Sequence, residues 1–194
     1  MRAVMLEVPD SLLAERRRLG HDHFDEMWEG ELHMVPAPGF RHQALESWLV
    51  ETWAPVARHV GLQVTAETGL FDPAVPGNSS YRRPDVVVSR PEHISARGVE
   101  GRAELAVEIR SPGDETDAKV PFYERVGVAE MLIIDTDLSL RRWVRTEDRL
   151  VEVTSGADGW VGLDALGLGM ALRGDSDHLV LATPSGEVPF PLAS

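Results

Sequence analysis

Apolar residues recur along the chain at two spacings, and each predicts its own kind of element. Between Arg41 and Gly61 they fall at positions 44, 45, 48, 49, 50, 53, 56, 57 and 60. This is the broad stripe of a helix with one buried face. Pro55 interrupts it and predicts a kink or a new start. Residues 8–18, VPDSLLAERRR, predict a short helix capped by Asp10 or Ser11, with Leu12 and Leu13 as its apolar edge. Strands are predicted at Glu31–Val35 and Leu62–Glu67, where polar and apolar positions mix. They are also predicted at Val86–Val88, Leu105–Ile109 and Met131–Ile134, which are short and apolar throughout. Between the last two lies SPGDETDAKVPFYERVGVAE. It opens as a loop and becomes a helix from about Ala118, because Pro121 fits only a first turn. Asp114 or Thr116 caps that helix and Gly127 ends it. Strand, helix, strand over this length predicts a right-handed crossover.

The remaining segments read as connections and a β-rich end. FDPAVPGNSSYRRP predicts a loop, and residues 89–103 a second polar connection. From residue 138 the runs LRRWVR, LVEVTS and WVGLDAL predict a meander, with turns at 146–148 and 156–159. The tail LVLATPSGEVPFPLAS predicts one short strand and a proline-rich end. No repeat or low-complexity linker interrupts the chain. The reading is one α/β domain over residues 1–194, with a β-rich extension from about residue 146.

Two carboxylates interrupt the apolar runs, Asp85 before Val86 and Glu108 within Leu105–Ile109. Burying a carboxylate in a strand is costly unless something pairs with it. Two on neighbouring strands point to a shared cation. Positions two apart on a strand face the same side, so Glu108 and Arg110 look into one space, with the Ile109 carbonyl close by. These hard oxygen donors suit Mg²⁺ or Mn²⁺. Such an ion polarises a phosphodiester and acidifies a bound water, and a nearby ammonium positions that water or steadies developing charge.

Lys119 is the only lysine among 19 basic residues. A general preference for arginine does not explain why one position keeps lysine, whereas a compact ammonium has roles that arginine cannot fill. The plainer reading pairs it with Glu115, one helical turn earlier. Tyr123 shares its helical face. His42, in the first turn of the long helix, lines a site or caps. Arg82 and Arg83 precede Asp85 and contact phosphates or balance carboxylates. Arg16–Arg18 reads as a solvated helix end, and His21, Asp22 and His23 as polar loop rather than a metal site.

Charge and composition narrow the picture. The net charge is −13 and the pI near 4.9, which argues against broad, non-specific nucleic-acid binding. There is no cysteine, and hydrophobic content is 43%, enough for a core. No run approaches a membrane span and no signal segment opens the chain, so a soluble, cytoplasmic protein is expected.

The PD at 84–85, followed by ExR at 108–110, resembles the PD-(D/E)xK nuclease superfamily. More narrowly, PDVVV, AVEIRSP, DAKVPFYERVGVAEMLIID and the upstream EGELHMVPAPGFRHQAL resemble the Uma-two family of restriction-endonuclease-like proteins, over about residues 22–145. The resemblance implies a restriction-endonuclease-like core, a mixed sheet flanked by helices, with metal ligands at Asp85 and Glu108. It brings in Glu26 as an accessory carboxylate, with Glu29 competing for that role. Arg110 departs from the lysine of the ExK pattern, and the resemblance moves that part to Lys119. Asp117 and Asp135 read as structural. The leading expectation is a Mg²⁺- or Mn²⁺-dependent endonuclease acting on nucleic acid, DNA first, with a homodimer as the expected assembly. The alternatives are an inactive binding or regulatory module on the same fold, and a hydrolase of small phosphate esters.

Overall fold

Short apolar strands buried on both faces set the architecture. The computed structural model describes residues 8–35, 37–156, 158–167, 170–174 and 178–191, together with the backbone of 3–5 and 175. The chain begins with β1 (Ala3–Met5), α1 (Asp10–Leu19), β2 (Glu26–Trp28), β3 (Glu31–Met34) and α2 (Phe40–His59). It continues with β4 (Gln63–Ala66), β5 (Leu70–Phe71), β6 (Tyr81–Arg82), β7 (Val86–Ser89), β8 (Val99–Glu100) and β9 (Leu105–Ile109). A 3₁₀ turn at Thr116–Lys119 leads into α3 (Val120–Val126). Then come β10 (Glu130–Ile134), β11 (Leu140–Thr146), β12 (Arg149–Val153), β13 (Val161–Gly162), β14 (Ala171–Asp175), β15 (His178–Thr183) and β16 (Gly186–Pro189).

The strands form three sheets. The central one has the order β12-β11-β10-β9-β7-β4. Within it β9 and β10 run parallel, from Leu105 opposite Glu130 to Ile109 opposite Ile134. The other pairs are antiparallel. A parallel pair needs a covering crossover, and α3 supplies it. The other two sheets are β1-β3-β2-β6-β5-β8 and β13-β14-β15-β16.

Strand alternation sends neighbouring residues of the central sheet into two separate cores. Val86, Val88, Leu105, Val107, Ile109, Leu132 and Ile134 pack against Leu45, Trp48, Leu49 and Trp53 of α2. Leu172, Leu181 and Phe190 of the C-terminal strands and tail join this same cluster. Val87, Ala106, Met131 and Ile133 face the other way, onto Phe122, Tyr123 and Val126 of α3. Burial on both sides explains why these strands read as unbroken apolar runs.

Several expectations change. α2 is one continuous helix through Pro55 rather than two segments. α1 begins at Asp10 after an extended Pro9, with no side-chain cap from Asp10 or Ser11. Arg16 is not a solvated end: it grips the buried Asp25 through two 2.6 Å hydrogen bonds. The loop before Arg83 holds β5 and β6, and the polar connection after Ser89 holds β8. These two-residue strands have no periodicity to read. β11 and β12 form the expected antiparallel hairpin, and both join the edge of the central sheet. The tail forms a hairpin of two strands, β15 and β16, where one was expected.

Leu49, fully buried in the α2 core, and Phe40, 83% exposed at the start of the same helix, make a direct comparison. Leu49→Ala is expected to cost about 2–5 kcal/mol in urea unfolding, and Phe40→Ala to stay within about 0.5 kcal/mol of the parent.

Candidate functional site

β7 and β9 pair with Val86 opposite Val107. Asp85 directly precedes β7, so it lies at the end of that pairing, beside Glu108 of β9. The Ile109 amide donates to Asp85 Oδ2, which ties the carboxylate to the end of β9. Glu108 is 3% exposed. Its Oε2 lies 2.8 Å from Lys119 Nζ, and its Oε1 accepts the Tyr123 hydroxyl proton. Lys119 and Tyr123 meet one carboxylate because they stand four residues apart where the 3₁₀ turn runs into α3. Lys119 Nζ is also 2.8 Å from Glu26 Oε1. Glu26, on β2, is fixed in turn by the Arg83 amide and the Trp28 indole N–H, each at 2.8 Å.

One ammonium therefore serves two buried carboxylates. Burial opposes the charge on Lys119, but Glu108 and Glu26 outweigh it and hold the amine protonated, above its ordinary pKa. Burial acts on the two carboxylates alike, yet they diverge. Glu26, with two N–H donors besides the lysine, ends below the usual carboxylate range. Glu108, facing Asp85 and Glu26, is pushed up to about 8 by burial and by those charges.

A second group gathers around Asp85 from α2. His42 Nε2 lies 3.0 Å from Asp85 Oδ1, and His42 Nδ1 is 3.5 Å from Ser111 Oγ. Asp85 raises the pKa of His42 against the effect of burial. Glu46, one turn along α2, accepts from Gln43 at 3.0 Å. Burial and the neighbouring Glu67 and Asp85 push Glu46 up to about 7. Glu67 is raised as well, by burial and by Asp85. His42, Glu46 and Asp85 bring ligand atoms within 4.8 Å of one another, and they are the candidate cation cluster among the described residues.

These side chains border a single cleft of about 310 Å³, whose lining includes Glu26, His42, Glu67, Asp85, Glu108 and Lys119. Arg83 and Ile109 line it too. With Asp114 and Glu115, six carboxylic residues line the cleft and Glu46 lies beside it, against one lysine, one arginine and one histidine. That imbalance is a standing demand for positive charge.

The structure brings Asp85, Glu108, Lys119, Glu26, His42, Tyr123 and Ile109 together. It separates others that the sequence placed with them. Arg82 is 2% exposed, and its guanidinium lies between the rings of Trp28 and Phe122 at 4.1 and 4.3 Å. It donates to the Met27 carbonyl and pairs with Glu29, so it is a core residue rather than a phosphate contact. Arg110 pairs with Asp117 and with Asp135, at 3.0 Å in the latter case, and lines a neighbouring hollow rather than the cleft that holds Glu108 and Lys119. Glu29 turns to Arg82 and Arg125 and leaves the cleft to Glu26. Lys119 pairs with Glu26 and Glu108, which replaces the expected Glu115 partner. Glu46 and Glu67 were not foreseen. The His42–Glu46 spacing of four on one helix was a usable signal; Glu67, at a strand end, offered none.

The fold and cleft define a nuclease-like mixed α/β protein. The chain belongs to the Uma2 family, described as "Putative restriction endonuclease", which matches residues 13–173. Among solved structures it resembles a "putative nuclease belonging to DUF820" from Anabaena variabilis, with a TM-score of 0.54 and 16% identity over 73% of this chain and 88% of that one. A DrdV–DNA complex shows a slighter likeness, with a TM-score of 0.35 and 13% identity over 58% of this chain and 10% of that one. Comparison with curated proteins finds no match. No helix among the described residues is long and apolar enough to cross a membrane.

Removing Lys119 leaves two buried carboxylates facing each other. Lys119→Ala is expected to lose about 3–5 kcal/mol of stability at neutral pH. The loss should be largest above about pH 8, where Glu108 is ionised, and should shrink as pH falls through that range and in the double variant Lys119→Ala/Glu108→Gln. Urea midpoints across pH measure both.

Proposed function

We propose that this protein is a divalent-metal-dependent nuclease that hydrolyses phosphodiester bonds of nucleic acid, with DNA as the first candidate. The observation that supports it is the convergence of Asp85 and Glu108, on adjacent strands, with the sole lysine of the chain in one cleft.

The donor set fits a hard divalent cation. Asp85, Glu108 and the Ile109 carbonyl offer oxygens suited to Mg²⁺ or Mn²⁺, and the surplus of carboxylates favours any cation that enters. When bound there, such an ion polarises a phosphodiester and lowers the pKa of a coordinated water. The protein's own groups do the rest. Lys119, held by Glu26 and Glu108, presents its remaining N–H to the cleft, where it hydrogen-bonds the attacking water or a phosphoryl oxygen as charge builds. Tyr123 fixes the rotamer of Glu108. Glu26 has its oxygens taken by three donors, Lys119, Arg83 and Trp28, and its role in this reading is to position the lysine; Glu108, held by Lys119 and Tyr123, would give up one of these partners to a metal. His42 stands on the opposite side of Asp85, where it orients that carboxylate or adds a nitrogen donor. Arg83 borders the cleft and is the remaining arginine placed for a phosphate.

The test is cleavage of single-stranded and duplex DNA and RNA with Mg²⁺ or Mn²⁺. Wild type should cleave a polymer, and a chelator should stop it. Asp85→Asn and Lys119→Gln should each lower the rate about 100-fold or more. Turnover of mononucleotide esters alone would move the reading to a small phosphoesterase. No turnover of either class would leave a binding module on a nuclease fold.

A further inference from the structure

The cleft does not end at His42. A second hollow of about 300 Å³ continues it on the other side of the α2 start, and Gly39, His42, Ile109, Ser111 and Pro112 line both. Leu45, Leu138 and Pro112 give the second hollow apolar walls, and Arg41, Thr136 and the ion-paired Arg110 and Asp135 give it polar ones. Two exposed residues open α2 beside this junction: Arg41 lines the second hollow, and Phe40 precedes it in the chain, outside the lining of either hollow. Phe40 is 83% exposed, while every other exposed large apolar residue among those described is 48% exposed or less. Arg41 is exposed, and its side chain has no ion-pair or hydrogen-bond partner among the described residues. Elsewhere in this acidic chain, arginines such as Arg82, Arg97, Arg110, Arg125, Arg141 and Arg142 are held by carboxylates. The first turn of α2 has neither a side-chain cap nor an acidic residue, so its leading N–H groups face outward beside Arg41.

We propose that this junction holds one unstacked nucleotide next to the phosphate bound in the cleft, its base stacked on Phe40, its phosphate at Arg41 and the α2 N-terminus, and its outer edge in the second hollow. The inference rests on the nuclease reading and adds a strand state to it, because only a single-stranded, frayed or extruded base can reach an aromatic face in this way. The chemistry supports it on three counts. An exposed aromatic beside a free cation is the pairing with which proteins hold single strands, since every base has a face to stack and every link a charge to meet. A free helix N-terminus favours phosphate, and here it is joined by the unpaired arginine. The second hollow is the size of a small-ligand site rather than of a duplex groove.

The experiment measures binding without chemistry. Full-length protein with Ca²⁺ in place of Mg²⁺ is titrated with a labelled oligothymidylate, with its duplex, and with the same single strand carrying one abasic position. Wild type should prefer the single strand to the duplex. Phe40→Ala should weaken single-strand binding about tenfold. Loss of the stacked base should cost as much and should cancel the effect of Phe40→Ala. Phe40→Trp should retain binding, with its fluorescence quenched on complex formation. Because Phe40 is exposed, neither substitution disturbs the core. Equal binding by wild type and Phe40→Ala, or a preference for duplex, would overturn the inference and leave the nuclease reading standing. No binding of any nucleic acid by wild type would overturn both.

Discussion

A carboxylate in the middle of a buried strand must be neutralised, and Glu108 makes the rest of the site follow from that need. β9 lies inside the central sheet, with helices on both faces, so Glu108 is only 3% exposed and meets solvent through the cleft alone. The only lysine in the chain meets it from the start of α3, and Tyr123 meets it from one turn later. The same ammonium binds Glu26 on β2, in a different sheet. One polar knot therefore ties two sheets and a helix together at the floor of the cleft. Such a knot is rarely the most stable way to fill a core, since apolar residues of the same shape often do as well. Its presence at the bottom of an open cleft is better explained by chemistry than by stability.

Lysine suits this knot where arginine would not. Two carboxylates approach one nitrogen, each at 2.8 Å. A compact ammonium with three donors serves both and still has a proton for the cleft. A guanidinium is broader and presents its donors as a planar fork. Around the knot the chain spends its arginines differently. Arg82 braces two aromatic rings, and Arg110 and Arg141 share Asp117. The net charge of −13 thus coexists with a local site able to attract phosphate, provided that cations join the carboxylates.

Much of this was legible in the sequence, and the reasons are particular. β7, β9 and β10 were found because burial on two faces leaves apolar runs that polar loops cannot imitate. Asp85 and Glu108 stood out against those runs, and Lys119 stood out by its singularity. β5, β6 and β8, with two residues each, carry no period, and only tertiary pairing makes them strands. Arg82 and Arg83 look alike in the chain. Strand alternation sends Arg82 into the core and leaves Arg83 at the cleft, and this direction depends on β6 itself being recognised. Glu29 and Glu26 are three residues apart across a tight turn in which Glu29 takes a left-handed φ of 51°. That turn aims one outward and the other inward, and the spacing alone does not say which.

A nuclease site here requires that Asp85 and its neighbours hold a divalent cation. The direct measurement is a calorimetric Mn²⁺ titration of wild type and Asp85→Asn, with circular dichroism to confirm that both are folded and with a short oligonucleotide present to supply phosphate ligands. Saturable binding by wild type that disappears in the folded variant is the predicted result. Absence of binding by wild type, or equal binding by both proteins, would contradict the metal site and with it the nuclease reading.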